Sequence, residues 1–195
     1  MLSSKHGDRD AFLVKYNPDC QLAQTADAEE CHFGDHPTLS QLRVGYGSRM
    51  PVIWLLPQLY SLSEYCGCKN KLQGRPLQEC ASIIAADFHW LKVSELILFF
   101  HRFKSGCYGR FYGTVDPLVI TTALRDFCDE RWQAYAKHEQ EQREQREREQ
   151  EARATSWEEH CMRTYGELRP HPLSRFTNSQ YAAVAPQPLK KPTSK

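Results

Sequence analysis

Between positions 104 and 117 the chain reads KSGCYGRFYGTVDP, and with His89 and His101 upstream this region holds the groups best suited to chemistry. Lys104, Tyr108, Tyr112 and Asp116 can each move a proton or attack an electrophile. Catalysis requires more than reactive side chains: a nucleophile or base, a partner that orients it, and donors where charge develops. His89 and His101 stand twelve residues apart, a spacing that does not assign them to one helix face. Asp116 directly precedes Pro117, the N-cap and first-turn pair that starts a helix, and that role accounts for it without chemistry. Arg131 is expected to pair with Glu95 or Asp116 inside the fold. There is no GxxxxGK[ST] phosphate loop, no HExxH and no GxSxG. A metal-dependent nuclease needs clustered carboxylates, and the helical core supplies only Asp87, Glu95 and Asp116. The expectation is a protein that is not an enzyme, with no cofactor.

Eight cysteines, at 20, 31, 66, 68, 80, 107, 128 and 161, raise the question of metal or disulfides. A disulfide framework belongs to a secreted context. Cys80 and Cys128 fall on apolar faces of predicted helices and read as reduced, buried thiols. Cys66-x-Cys68 and the Cys31-His32…His36 group offer zinc-ligand types, but no C-x-x-C pair and no usual structural-site spacing accompanies them.

Binding is the other chemistry the region suggests. Three glycines, at 106, 109 and 113, permit positive φ, and the aromatic residues between them cannot all face water without cost. The segment is expected to fold back and plug the end of a helical bundle, with Phe111 and one tyrosine inside. Lys104 and Arg110, together with Lys69, Lys71 and Arg75, are expected to share a face with the remaining tyrosine. Tyr108 and Tyr112 both qualify. Such a surface suits a protein partner, for which Tyr and Arg are common anchors. It also suits single-stranded nucleic acid, through phosphate contacts and base stacking. A purely structural plug is the third reading.

The elements that position these groups are helices. Thr38 caps a first one, ended by Gly45 and Gly47. Val52, Leu55, Leu56, Leu59 and Leu62 mark a second over 51–66, with Pro57 predicting a kink or late start. Leu77, Cys80, Ala81, Ile84, Ala85 and Phe88 mark a third over 76–90. Val93, Leu96, Ile97, Phe100 and Phe103 mark a fourth over 93–105, with Ser94 as its cap. The fifth starts at Asp116-Pro117 and carries Ile120, Leu124, Phe127, Arg131 and Tyr135 on one face. This predicts an all-α fold: a small bundle of about five helices with an aromatic-glycine loop, a long charged C-terminal helical extension and disordered tails. Residues 1–36 read as a polar arm, 37–135 as the helical domain, and 136–160 as a Glu/Arg/Gln extension. Residues 161–195 read as a basic tail with proline. In the extension Glu139–Arg143, Glu144–Arg148 and Glu149–Arg153 are spaced for ion pairs, and no apolar heptad supports a coiled coil.

The formal net charge of +1 hides an uneven distribution, with basic excess in 40–116 and 161–195 and acidic excess elsewhere. No secretory signal follows Met1, and the apolar runs PVIWLLP and LILFF are too short to cross a membrane. A cytoplasmic location is expected, with no membrane partner.

EYCGCKNKL, and then LKVSELILFFHRFKSGCYGRFYGTVDPLVITTALRDFCDER, together resemble a bacterial family of unknown function from mobile and phage-like elements. The shared pattern is close to LKxSElxxFFxrFKxGxYGxFYGxxDPxxIxxxLxxFxxER. It is carried here by Leu91, Lys92, Ser94, Glu95, Phe99, Phe100, Phe103, Lys104, Gly106, Tyr108, Gly109, Phe111, Tyr112, Gly113, Asp116, Pro117, Ile120, Leu124, Phe127, Glu130 and Arg131. The resemblance spans residues 37–132. The family has no settled activity, and looser relatives of the pattern lie near replication genes on such elements; the expectation is a non-enzymatic interaction or adaptor protein of a mobile element, an accessory to DNA replication, with a protein partner. Direct single-stranded nucleic-acid binding is the alternative.

Overall fold

A computed structural model describes residues 2–167 and 169–170. The described residues are mostly helical and contain no strand; two isolated bridges, Thr38–Lys92 and Asn70–Thr114, are the only β-type pairings among them. The chain divides into two compact units, Met1–Ala136 and Lys137–Lys195. The first unit holds α1 (Leu2–His6), α2 (Arg9–Lys15), a 3-10 turn (Pro18–Cys20), α3 (Gln21–Gln24) and α4 (Ala28–Phe33). These are followed by α5 (Leu39–Tyr46), α6 (Met50–Tyr65), α7 (Gly74–Asp87) and α8 (Val93–Lys104). It also holds the first part of α9, a helix that runs Pro117–Tyr165.

The five expected helices are α5 to α9, and the expected signals start three of them. Thr38 and Gln41 form a reciprocal capping box at α5. Pro51 sits in the first turn of α6, and that helix continues unbroken through Pro57. At α9 the Asp116 carboxylate accepts the Leu118 N–H at 2.8 Å. Two details differ from expectation. Ser94 lies inside α8 and donates to the Cys31 carbonyl at 2.7 Å; the N-cap position is Lys92, whose N–H is taken by the Glu95 carboxylate at 3.0 Å. Gly45 lies inside α5, which ends instead at Gly47 with φ +107°. Gly45 lets α1 approach: a Cβ there would stand 2.8 Å from a Leu2 methyl.

The largest correction concerns residues 1–36, expected to be a polar arm. They fold. Asp8, Asn17 and Asp27 each accept backbone N–H groups at the start of a short helix or turn. The acidic stretch at 27–30 is such a start, with Glu29 and Glu30 against the positive end of α4. Phe12, Tyr16 and Cys31 are at most 2% exposed. Trp54 Nε1 and Gln58 Nε2 of α6 both donate to the Tyr16 carbonyl, at 3.0 and 2.8 Å, so α2 is pinned by directional bonds as well as by packing.

This segment explains α8. Its spacing predicts one apolar stripe, yet Ser94, Glu95, Leu98 and Phe99 are buried in addition. A helix covered on all sides belongs in a core, and α3 and α4 supply the extra cover. Phe99 packs at 5.3 Å from Phe100 and 5.7 Å from Phe127 of α9, centroid to centroid.

In the second unit α9 continues to Tyr165, past the expected boundary at 160, and Gly166 ends it with φ +68°. Glu144–Arg148 is paired at 3.4 Å, as its spacing predicted. Glu139–Arg143 and Glu149–Arg153 are not paired among the described residues; glutamines compete, with Gln145 donating to Glu149 at 3.2 Å. Residue 161 was expected to open a tail. Instead Cys161 is buried, and Trp157 Nε1 donates to the Arg169 carbonyl at 2.9 Å. The rest of the expected basic tail, with its LKKPTSK end, lies outside the described residues.

Candidate functional site

The loop between α8 and α9 is fastened from behind and open at its tip. Gly106, Gly109 and Gly113 all take positive φ, between +76° and +91°, so the glycines serve the backbone path the sequence suggested. Phe111 stacks on Phe103 at 5.2 Å, with the ring planes 18° apart. Tyr108 lies against Phe99 and Phe103, and its hydroxyl donates to Glu130 at 3.2 Å. Burial pushes the Tyr108 phenol up, and the neighbouring Glu130 carboxylate adds to this, so it stays protonated. Val115 is buried. On the other side the loop is bonded to residue 70: the Asn70 N–H donates to the Gly113 carbonyl at 3.1 Å and the Val115 N–H to the Asn70 carbonyl at 3.0 Å. Tyr112, between these anchors, is 91% exposed.

Beneath the loop is a cleft of about 300 Å³, lined by Tyr65, Cys66, Phe103, Lys104, Ser105, Gly106, Gly109, Arg110 and Phe111. Two cations meet its walls. Lys104 is half-buried, and its ammonium donates to the Gln21 side-chain carbonyl at 2.8 Å and the Ser61 hydroxyl at 2.9 Å. Both acceptors are neutral. No carboxylate among the described residues pairs with Lys104. Burial pushes its pKa down, partly opposed by Asp19 and Cys66. Arg110 is exposed and has no hydrogen bond or ion pair among the described residues. Cys66 is a free thiol whose pKa burial raises, so it is not an activated nucleophile.

The proposed basic face is therefore only partly assembled. Lys104, Arg110 and Phe111 line one cleft, with Tyr112 next in sequence. Lys71 is held by Glu64 at 2.5 Å, and Arg75 by Glu79 at 2.6 Å. Lys69 is exposed and unpaired among the described residues. Of the two tyrosines, Tyr108 is structural and Tyr112 is displayed. Sequence reasoning missed Tyr65, the exposed last residue of α6, which forms a wall of the cleft. Its place beyond the apolar stripe of α6 was the available signal.

At the other end of α8 lies a buried charge cluster. Glu95 is fully buried, and its carboxylate meets Arg131 Nε at 2.6 Å, as expected. The Tyr135 hydroxyl stands at 3.2 Å, His32 Nδ1 at 3.3 Å and the Lys92 N–H at 3.0 Å. Burial disfavours the charged form, but donation by His32, Lys92 and Arg131 outweighs it and holds the carboxyl below its ordinary value. The Lys92 ammonium and the Tyr135 hydroxyl also bond the His32 carbonyl, both at 2.6 Å, tying α4 to α8 and α9.

Residues 72–166 match the model of a family of unknown function, DUF6633. The DUF6633 match takes in α7, α8 and the aromatic-glycine loop, with α9 past its last residue. It begins later and runs further than the resemblance read from the sequence, and it contains the whole stretch from Leu91 to Arg131. Tyr65 and Cys66 of the cleft, and His32 of the buried cluster, lie before it. The comparisons with curated proteins and with solved structures found no match.

The other reactive groups do not converge on the cleft. His89 Nδ1 donates to the Ala86 carbonyl at 2.9 Å, Asp116 is spent on its cap, and Asp87 is exposed. Among the described residues no group of three or more His, Cys, Asp or Glu is arranged to hold a metal ion. Cys31 Sγ donates to the Gln24 carbonyl at 3.3 Å and His36 faces Tyr16, so the zinc-ligand types at 31–36 are separately engaged. All eight cysteines are free; burial pushes Cys31, Cys80 and Cys128 each up to about 11. No helix among the described residues is long and apolar enough to cross a membrane.

Proposed function

We propose that the chain is a non-enzymatic interaction module whose contact surface is the tip of the loop between α8 and α9. The observation that carries this reading is Tyr112: a large ring, 91% exposed, held between two backbone anchors and backed by packed Phe111 and Tyr108. An exposed tyrosine on a pre-ordered loop loses little conformational freedom on binding, and tyrosine and arginine are frequent energetic anchors of protein interfaces. Arg110 beside it adds the second type. The mobile-element setting implied by the resemblance makes the partner a protein of such an element, with a cytoplasmic replication accessory as the role.

The pairing of Lys71 and Arg75 with carboxylates, and the burial of Lys104, weigh against direct nucleic-acid binding, which needs several free cations along a track. The test is affinity purification from the native cell with the full chain and with Tyr112→Ala. Loss of partners from the variant, with an unchanged thermal melt, supports the module; identical partners on both baits overturn it. A gel shift of single-stranded DNA that weakens steeply with salt would transfer the reading to nucleic acid.

A further inference from the structure

The cleft under the loop is lined by two basic residues, Lys104 and Arg110, and by no acidic one. Three cations bordering this region have found a carboxylate: Lys71 has Glu64, Arg75 has Glu79, and Arg102 has Glu130 at 2.7 Å; Lys69 is unpaired among the described residues but does not line the cleft. Lys104 and Arg110 have none among the described residues, and they line the same cleft. An ammonium has three donors; two of Lys104's are used, both on neutral oxygens. Asp19 acts on Lys104 only from beyond ion-pair distance, and a half-buried cation without a close counter-charge carries a desolvation cost that a bound anion offsets. The remaining walls are the rings of Tyr65, Phe103 and Phe111, which offer a flat apolar seat.

Resting on the interaction-module reading, we propose that this cleft receives an acidic segment of the partner protein. The segment's carboxylate lies between Lys104 and Arg110, and a neighbouring aromatic or aliphatic side chain lies on the ring walls. A carboxylate presents two oxygens to a guanidinium fork, which suits Arg110. A nucleic-acid strand would need further phosphate contacts along its path, and of the adjoining cations Lys71, Arg75 and Arg102 are already paired, which leaves Lys69 alone to make them.

The test uses the full chain and a fluorescent pentapeptide of four glutamates around a central phenylalanine. The comparators are its all-glutamine analogue and oligothymidylate, with binding read by anisotropy. The acidic peptide binds at least about tenfold more tightly than the neutral one, and Arg110→Gln weakens it by about tenfold, the scale of one charge-assisted contact. In lysine side-chain NMR the Lys104 signal titrates at higher pH when the acidic peptide is present. Equal affinity for acidic and neutral peptides, unchanged affinity in Arg110→Gln, or preference for oligothymidylate overturns the proposal. Arg110 is exposed, so its variant keeps the fold, which circular dichroism verifies; Lys104→Met is the second variant. If Arg110→Gln changes nothing while Tyr112→Ala still strips partners from the bait, the cleft proposal falls and the loop reading stands. If Arg110→Gln abolishes peptide binding while Tyr112→Ala strips nothing, the cleft stands without the loop tip.

Discussion

The two ends of α8 treat charge in opposite ways. At the first turn, the Glu95 carboxylate is enclosed by Arg131, His32, Tyr135 and the Lys92 amide, so its lone pairs have donors. At the last turn, Lys104 keeps two neutral acceptors and Arg110, beyond it, has no partner among the described residues. Both arrangements agree with the helix dipole, which favours an acid at the start and a base at the end. They differ in completeness. A buried charge that the protein has satisfied by itself is architecture, and a charge left half-satisfied beside a cleft is available to something else. The physical rule separates two sites that look alike in sequence, where both are an ionisable residue beside apolar positions of one helix.

The sharpest way to break this comparison is Glu95→Ala. Removing the acid leaves Arg131 largely buried without its counter-charge, and loss of one partner of such a pair costs about 3–5 kcal/mol. Urea denaturation reads it; a loss below about 1 kcal/mol, the scale of an exposed pair, would show that the cluster is not architectural.

Acid titration sharpens the same end. The Glu95 carboxyl is held below its ordinary value in the folded chain, so the unfolded chain binds this proton more readily. The contribution is whole above the ordinary glutamate pKa of about 4.3 and is lost as pH falls through the lower folded value. Melting temperature should fall more steeply on the acid side for the natural chain than for Glu95→Gln.

At the other end the effects on stability are smaller. Gly109→Ala meets open space but must hold φ +91°, a strain costing about 1 kcal/mol. It should also loosen the loop, read as faster amide exchange at 108–113. Arg110→Gln, on the exposed rim, should change stability by no more than about 0.5 kcal/mol. A larger loss would mean that Arg110 is part of the architecture after all.

Much of this was legible in the chain. The stripes on α6, α7 and α8, the Asp116-Pro117 start and the three loop glycines announced the bundle and its plug, because each rests on local rules of spacing, capping or φ. Arg131 pairing with Glu95 was foreseeable because both sit among apolar positions, where an unpaired charge is not tolerated. The N-terminal helices were not seen. Their apolar residues, Phe12, Tyr16 and Cys31, are too few and too scattered to show a period across helices of four to seven residues. Their capping residues were visible and were read as polarity. The use of Lys104 was also hidden, since its acceptors Gln21 and Ser61 come from α3 and α6, far away in sequence.

The place of α8 decides how this chain can be cut. A fragment trimmed to residues 72–166 would keep α7, α8 and the loop but lose Phe12, Tyr16, Cys31, His32 and all of α6. Leu98 and Phe99 would lose cover, and Glu95 would lose the imidazole beside it. The span that the family model matches is therefore shorter than the span that packs around α8, and an expressed version of residues 72–166 alone should aggregate.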